Sequence, residues 1–123
     1  MHLPAHLTAT GRAILSQFAH KQILALYPHN EDLFHRTGAG PNTLRELESL
    51  LEESRRRGWA VEHNEITDEY ASVAAAAVDH NQYPAAAIGL TFRVPTIGTD
   101  MWGELGHAVT STANALTMRL QSR

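Results

Sequence analysis

Eight histidines offer this sequence its most versatile side-chain chemistry, and two groups of them have spacings that could hold a metal ion. His2 and His6 lie four residues apart, the spacing that places two ligands on one face of a helix. His63 lies beside the carboxylates of Glu62 and Glu65. A zinc site needs three or four converging ligands. The simpler interpretation is therefore that these histidines lie at the surface or cap helices, and a metal-dependent enzyme is the less favoured hypothesis.

Motifs of the common enzyme classes are absent from the sequence. It contains no HExxH zinc motif, no GxSxG nucleophile turn and no complete phosphate-binding loop. Gly38–Gly40 lacks the lysine and hydroxyl residue that such a loop requires. The chain also has no cysteine, which excludes disulfides and thiolate metal sites. We therefore expect no catalytic residues, no bound metal and no cofactor.

A second group of polar residues is spread along the chain and could form a binding pocket. A helix start at Thr8–Gly11 would offer free backbone N–H groups, which suit a carboxylate. Ser72 and Thr91 are small hydroxyl residues on two neighbouring predicted strands, and Glu62 is an acceptor on a third. Small apolar walls would come from Ala9, Ala74 and Gly89, a usual composition for a ligand site. Alternatively, Thr8 is only a helix cap, and Ser72 and Thr91 only fill strands.

Helical and alternating apolar patterns predict the elements that would position these residues. Four helices are expected: one from Thr8 or Thr10, one over His20–Leu26, one from Pro41 to Gly58, and one capped by Thr99 or Asp100. Strands are expected over 59–66, 70–78 and 85–94, with a short strand around 33–35. Gly11 lies in the first turn of the first helix, where glycine costs about 1 kcal/mol relative to alanine, so its missing side chain should be needed. Short loops between strands imply antiparallel pairing. The predicted class is α/β in the looser α+β sense, a curved antiparallel sheet with helices packed on it.

Length and composition limit the class of partner. The 123 residues suit one domain, with 43% hydrophobic and 19% charged residues. The formal net charge is −3, whereas proteins that bind nucleic acid on their own usually carry a basic surplus. No stretch is long and apolar enough to span a membrane. These features favour a soluble cytoplasmic domain that does not contact DNA itself.

Several segments resemble, in order, the effector-binding domain of IclR-type transcriptional regulators. The run from Leu3 to Leu15 resembles that family's LPxHxTAxGKAxLA segment. Four later segments are similar to family segments in the same order, namely Arg36–Leu44, Arg56–Val61, Val73–Val78 and Ala86–Leu90. The joint order and spacing cover nearly the whole chain, and the chain is identified as a member of this family.

This resemblance implies a GAF-like domain whose pocket binds small metabolites, often carboxylic acids. Transferred position by position, the implied effector site comprises Leu3, Ala9, Thr10, Glu62, Tyr70, Ser72, Gly89 and Thr91. The N–H groups of Ala9 and Thr10 would hold a carboxylate. Hydroxyl or carbonyl oxygens of the ligand would bind Glu62, Ser72 and Thr91, and Leu3 and Tyr70 would form walls.

Some positions differ from the family pattern. Glu62 is one methylene longer than the usual aspartate, and a glycine expected near Glu69 is missing. Alanine at position 76 or 77 replaces a proline. Arg12 replaces a lysine, which we interpret as a benign change. We therefore expect a pocket of somewhat different shape and cannot transfer a particular ligand.

The resemblance also implies elements before Leu3 that this sequence lacks: a winged helix-turn-helix domain, a linker and two or three strands. Residues 1–123 would then be an N-terminally truncated effector-binding domain, with DNA contacted only through the absent domain. A sheet lacking strands has an exposed edge, which tends to pair with another chain. We therefore expect a dimer or higher oligomer. The alternative is a structural oligomerisation fragment with a vestigial pocket.

Overall fold

A computed structural model describes residues 4–122 of the chain. Its helices and strands are α1 (Ala9–Leu15), α2 (His20–Leu26), α3 (Leu44–Arg57), β1 (Ala60–His63), β2 (Tyr70–Val78), β3 (Pro84–Arg93) and α4 (Trp102–Gln121). Short 3-10 turns lie at Asn30–Asp32 and Thr99–Met101. None of the helices in this part of the chain combines the length and apolar character needed to cross a bilayer.

The three strands form one antiparallel sheet in the order β1-β2-β3. Glu62 on β1 lies opposite Ser72 on β2, and Ser72 lies opposite Thr91 on β3. Since directly opposite residues project from the same face of a sheet, these three side chains form one row. The predicted α+β class, an antiparallel sheet flanked by helices, is confirmed.

Helices cover both faces of the sheet, and small side chains allow them to approach closely. On one face, Ala9 and Ala13 of α1 pack on Ala60 and Ala74. On the other face, α4 packs through Val109 and Ala113 on a core of Ala71, Val73, Ala75 and Phe92. A third cluster joins α1, α2 and α3 and consists of Leu15, Ile23, Leu33, Leu47 and Leu51. The residues opposite α1 therefore lie between a helix and a sheet.

Local signals at its ends explain the bounds of α3. The Thr43 hydroxyl accepts a hydrogen bond from the Glu46 amide at 3.1 Å, which caps the first turn. Gly58 follows the last turn with φ +95°, the left-handed conformation that favours glycine. Helix α3 thus ends where predicted, while Pro41 and Asn42 lie before its first turn.

The predicted short strand around residues 33–35 is wrong. Leu33 follows the 3-10 turn, and its side chain is buried among the helices rather than on the sheet. The carbonyl oxygen of Phe34 lies 2.7 Å from the His6 imidazole instead of pairing with a strand. Strand β1 is also shorter than predicted, because Asn64 adopts φ +62° and turns the chain one residue after His63.

Close packing around position 11 leaves no room for a side chain, as expected from the glycine there. A Cβ atom at this position would lie 2.4 Å from the Ala5 carbonyl oxygen and 2.5 Å from the Thr8 hydroxyl oxygen. These are distances that real Cβ atoms do not reach. Glycine therefore allows the entering chain to fold back against the first turn of α1.

Candidate functional site

A cavity of about 460 Å³ lies between the start of α1, the sheet and the turn after β1. Seven predicted site residues line it: Ala9, Thr10, Glu62, Tyr70, Ser72, Gly89 and Thr91. Leu3, the eighth, lies outside the described residues. Thr8, from the predicted helix start, also lines the cavity, whereas Ala74, predicted as a wall, is buried under α1 instead. The lining is completed by four residues that were not predicted: Ile66, Thr67, Val73 and Leu90. The structure therefore brings together residues from distant parts of the sequence, from Ala9 on α1 to Thr91 on β3.

The start of α1 contributes both a cap and part of the cavity wall. The Thr8 hydroxyl accepts a hydrogen bond from the Gly11 amide at 3.0 Å, so Thr8 is the helix cap of the simpler interpretation. Ala9 and Thr10 follow it in the first turn, where backbone N–H groups lack partners within the helix. Both residues line the cavity, so this segment can cap the helix and also form part of a binding pocket.

The row across the sheet supplies the side-chain hydrogen-bonding groups. The hydroxyl oxygens of Ser72 and Thr91 lie 2.8 Å apart. Glu62 is only 4% exposed, and its carboxylate accepts a hydrogen bond from the Glu65 amide at 3.1 Å. Burial raises the pKa of the Glu62 carboxyl above its ordinary value of 4.5, and the hydrogen bond from Glu65 opposes this shift. The row thus presents two hydroxyls and a carboxyl whose pKa is raised by burial.

Gly89 allows α1 to lie close to β3. A Cβ atom at this position would come within 2.9 Å of the Thr10 methyl carbon and 3.5 Å of the Ala74 side chain. A larger residue would therefore push Thr10 away or fill the cavity beside it. Glycine at position 89 is therefore needed for the close packing of Thr10, and the same residue lines the cavity.

The cavity combines apolar walls with a few hydrogen-bonding groups. Its lining of described residues contains no histidine or lysine, the side chains that most often activate a nucleophile or transfer protons. Apolar walls from Ile66, Val73 and Leu90 surround the few polar groups. This composition is usual for small-molecule sites.

A buried ion pair behind the cavity was missed from the sequence. Arg12 is 2% exposed and binds both carboxylate oxygens of Glu65, with Nη1 3.0 Å from Oε2. Its guanidinium also donates to the carbonyl oxygens of Val61, at 2.8 Å, and His6, at 2.9 Å. Lysine lacks this fork of donors, so Arg12 is not a simple equivalent of lysine here. Its place on the same helical face as Ala9 and Ala13 was the available signal.

The histidines do not form a metal site among the described residues. His6 is buried, with its Nε2 atom 2.7 Å from the Phe34 carbonyl oxygen, and burial lowers its pKa. His63 packs edge-on against the Trp102 ring at 5.3 Å between centroids. Within residues 4–122, no group of three or more His, Asp or Glu residues could hold a metal ion. His2 lies outside this range.

Residues 1–118 match a family model described as the C-terminal part of bacterial transcriptional regulator IclR. Among curated proteins, the acetate operon repressor of Salmonella typhimurium is 29% identical over 116 residues. That match covers 94% of this chain and 42% of the repressor.

Solved structures share the fold. The repressor BlcR of Agrobacterium tumefaciens has a TM-score of 0.90 and 28% identity, over 98% of this chain and 49% of BlcR. A double mutant of the inducer-binding domain of PobR from Acinetobacter, in complex with 3-hydroxybenzoic acid, has a TM-score of 0.77 and 19% identity. That match covers 94% of this chain and 66% of the PobR domain chain. The chain therefore spans less than half the length of the acetate operon repressor and of BlcR.

A family match over nearly the whole chain, relatives that are repressors, and a shared fold all agree with the resemblance noted in the sequence. The chain belongs to the IclR family of bacterial transcriptional regulators, in the part that forms its C-terminal domain, and not to an enzyme family.

Proposed function

We propose that residues 1–123 are the effector-binding and self-association domain of a cytoplasmic transcription regulator, and that the effector is a small organic acid. The observation that carries this proposal is the convergence of Glu62, Ser72 and Thr91 on one cavity opposite the start of α1. These side chains come from three different strands, and one face of the sheet aligns them. A few polar groups among apolar walls is the pattern expected for a ligand site.

Each end of the cavity suits a different part of a hydroxy or keto acid. The N–H groups of Ala9 and Thr10 would receive the carboxylate, since a helix start favours negative charge. Ser72 and Thr91 would bind a hydroxyl or carbonyl oxygen. Tyr70 would form a wall, together with Leu3 as the family resemblance implies.

Burial raises the pKa of Glu62, which lowers the cost of protonating this carboxyl when an acidic ligand binds beside it. A protonated carboxyl donates a hydrogen bond to a ligand oxygen, whereas an ionised one would repel a nearby anion. The PobR domain, which shares the fold, was solved with 3-hydroxybenzoic acid. That compound carries a carboxylate and a hydroxyl, the two groups that the ends of this cavity suit.

DNA would be bound by a domain other than this one. The formal net charge of −3 provides no basic surplus to neutralise phosphates. An effector would act by binding one arrangement of the regulator more tightly than another, and so shift the equilibrium between them.

Self-association is supported by the unequal edges of the sheet. The outer edge of β1 is closed by side chains: Arg57 donates to the Trp59 carbonyl oxygen at 2.9 Å, and Arg12 donates to that of Val61 at 2.8 Å. Strand β3 has no second partner strand among residues 4–122. An open edge is a template for another strand, and a second copy of the chain is the partner we propose for it.

A thermal-shift screen against small carboxylic acids tests the effector proposal. A ligand at 100 times its dissociation constant adds about 2.7 kcal/mol of stability, which raises the unfolding temperature by several degrees. We expect a shift with a few related acids that is lost in Thr91→Val and Ser72→Ala. Thr112→Val, at an exposed position of α4 on the other side of the sheet, is the matched control and should keep the shift.

Two outcomes would contradict the proposal. No shift with any acid, despite a cooperative unfolding transition, would favour the alternative of an oligomerisation module with a vestigial pocket. Stoichiometric zinc or iron in the purified protein, with loss of folding on chelation, would favour the metal-dependent alternative.

A further inference from the structure

Helix α4 has one face packed on the sheet and an opposite face that no other element covers among residues 4–122. Gly106, Val109 and Ala113 are buried against the sheet. The residues of the outer face share the helical spacing of three and four and are all exposed. Met101 directly precedes the helix, and the others lie on it: Glu104, Ala108, Ser111, Thr112, Ala115, Met118 and Arg119. We call these eight residues the outer face of α4.

The outer face has few charges and two prominent methionines. Only Glu104, His107 and Arg119 are titratable among the 20 residues of α4. Met118 is 72% exposed and Met101 is 42% exposed. Methionine is over-represented at protein interfaces, whereas charged residues are depleted in their centres. This composition differs from that of an ordinary solvent-facing helix surface.

The middle of the outer face is flat. Ala108, Ser111, Thr112 and Ala115 have small side chains, and the Thr112 hydroxyl already donates to the Ala108 carbonyl oxygen at 3.0 Å. The centre therefore presents mostly methyl groups and short side chains. Such a surface allows a second helix to approach to about 8 Å between axes, the close end of the usual range.

The two charges of the outer face stand at opposite ends of the helix. Glu104 lies in the first turn of α4 and Arg119 in the last turn. If a second α4 packs antiparallel, Glu104 of each copy meets the partner's Arg119. The same register places Ala108 opposite Ala115 and Ser111 beside Thr112. A parallel arrangement would instead place like charges together.

We propose that the outer face of α4 is a surface through which two copies of this chain pair, with their α4 helices antiparallel about a two-fold axis. In this register the oppositely charged ends meet and the small central side chains face one another, while Met101 and Met118 lie at the two ends of the contact. Such self-complementarity is what a symmetric dimer requires, and a different partner would not require it. The inference rests on the self-association in the proposed function, to which it adds a surface separate from the β3 edge.

Charge reversal tests this surface by sedimentation velocity of the 123-residue chain between about 1 μM and about 1 mM, the range in which weak interfaces associate. We expect a monomer–dimer equilibrium for the wild-type chain. Glu104→Arg or Arg119→Glu alone places like charges together twice per dimer. Each single variant should weaken the dimer by about tenfold. The double variant Glu104→Arg/Arg119→Glu restores both pairs and should recover the wild-type dissociation constant within about threefold.

Arg56→Glu is the matched control for Arg119→Glu, because Arg56 is an exposed arginine in the last turn of α3. It changes the net charge equally but should leave the dimer intact. A monomer at every concentration, unchanged association in both single variants, or no recovery in the double variant would each overturn the proposal.

A cysteine cross-link gives a second, independent readout. The chain has no cysteine, so Ser111→Cys provides a single thiol next to the proposed two-fold axis. Mild oxidation should give a disulfide-linked dimer, since a disulfide requires Cα atoms within about 7 Å. Ser49→Cys, an exposed position on α3, should remain monomeric under the same conditions. Equal cross-linking in both variants would overturn the proposal. Loss of an acid-induced thermal shift would instead concern the cavity between α1 and the sheet.

Discussion

Glu62 is the side chain at which burial and charge conflict most clearly. It is 4% exposed, yet the nearby guanidinium of Arg12 binds Glu65 rather than Glu62. Burial therefore raises the pKa of the Glu62 carboxyl, and the nearby Glu65 carboxylate adds to this effect. A neutral carboxyl in a cavity can donate a hydrogen bond. If the effector is an acid, a protonated Glu62 could therefore donate a hydrogen bond to it instead of repelling it.

The raised pKa of Glu62 predicts a particular dependence of stability on pH. Because the pKa is higher in the folded state, the stability that Glu62 contributes is fully present below about pH 4.5 and is lost as the pH rises through the folded-state pKa. Glu62→Gln remains neutral throughout. We therefore expect the variant to be more stable than wild type by about 1 kcal/mol at about pH 7.5. This difference should shrink towards about pH 4.5, as urea unfolding at both pH values would measure.

His6 acts in the opposite direction, since burial lowers its pKa and its contribution is lost as the pH falls below 6.5. It is present in both proteins and cancels in the difference between them. Glu53→Gln, at an exposed position on α3, serves as the control and should show no such change with pH. An equal stability difference between Glu62→Gln and wild type at both pH values would refute the prediction.

The sequence indicated most of the residues that line the cavity, but not the ion pair between Arg12 and Glu65. Glu62, Ser72 and Thr91 were found because a strand pattern and a family resemblance fix their faces. Arg12 was underestimated because its burial depends on Glu65, which lies 53 positions away. Helical periodicity reports the face on which a residue lies. It does not report the partner that the folded chain places against it.

At the scale of elements, the helices with local end signals were predicted most accurately. Thr43 and Gly58 delimit α3 by hydrogen bonding and by backbone conformation. Strand β1 was predicted too long, because the positive φ of Asn64 is set by the turn that leads to β2. The apolar run at 33–35 resembles a strand, but it belongs to a helical cluster. Short apolar runs do not distinguish these cases.

Packing between α4 and the sheet depends on a glycine that no local pattern explains. A Cβ atom on Gly106 would lie 2.2 Å from the Trp59 ring. Gly106→Ala must therefore displace a tryptophan or the helix, and we expect a loss of about 2–3 kcal/mol in stability. Urea unfolding followed by tryptophan fluorescence measures this loss.

Gly103 provides a matched control on the same helix. Nothing lies within 4 Å of the Cβ position that an alanine would occupy there. Gly103→Ala should therefore stabilise the protein by up to about 1 kcal/mol through helix propensity alone. If both variants were equally stable, close contact between Gly106 and Trp59 would not be what fixes α4 on the sheet.

At the scale of the whole molecule, the two edges of the sheet differ in whether side chains cover them. The β1 edge is occupied by the guanidinium groups of Arg12 and Arg57, and Arg57 also stacks over the Trp59 ring at 4.6 Å. The β3 edge carries no charged residue between Pro84 and Phe92. Strand patterns predict strands but not which edge is closed, because the closing side chains come from helices. Local signals along a strand therefore do not show which edge of the sheet is closed.

The open edge of β3 makes a testable prediction about how copies of the chain associate. Alternate backbone N–H groups along an edge strand point away from its neighbour and exchange rapidly with solvent unless another strand pairs with them. We expect the outward amides of β3 to exchange rapidly in dilute solution and to become protected as the concentration rises. Hydrogen exchange followed by NMR at two concentrations measures this, with the inward amides of β3 as the internal control. Equal exchange rates of the outward amides at both concentrations would mean that copies do not pair through this edge, and would leave the outer face of α4 as the surface that joins them.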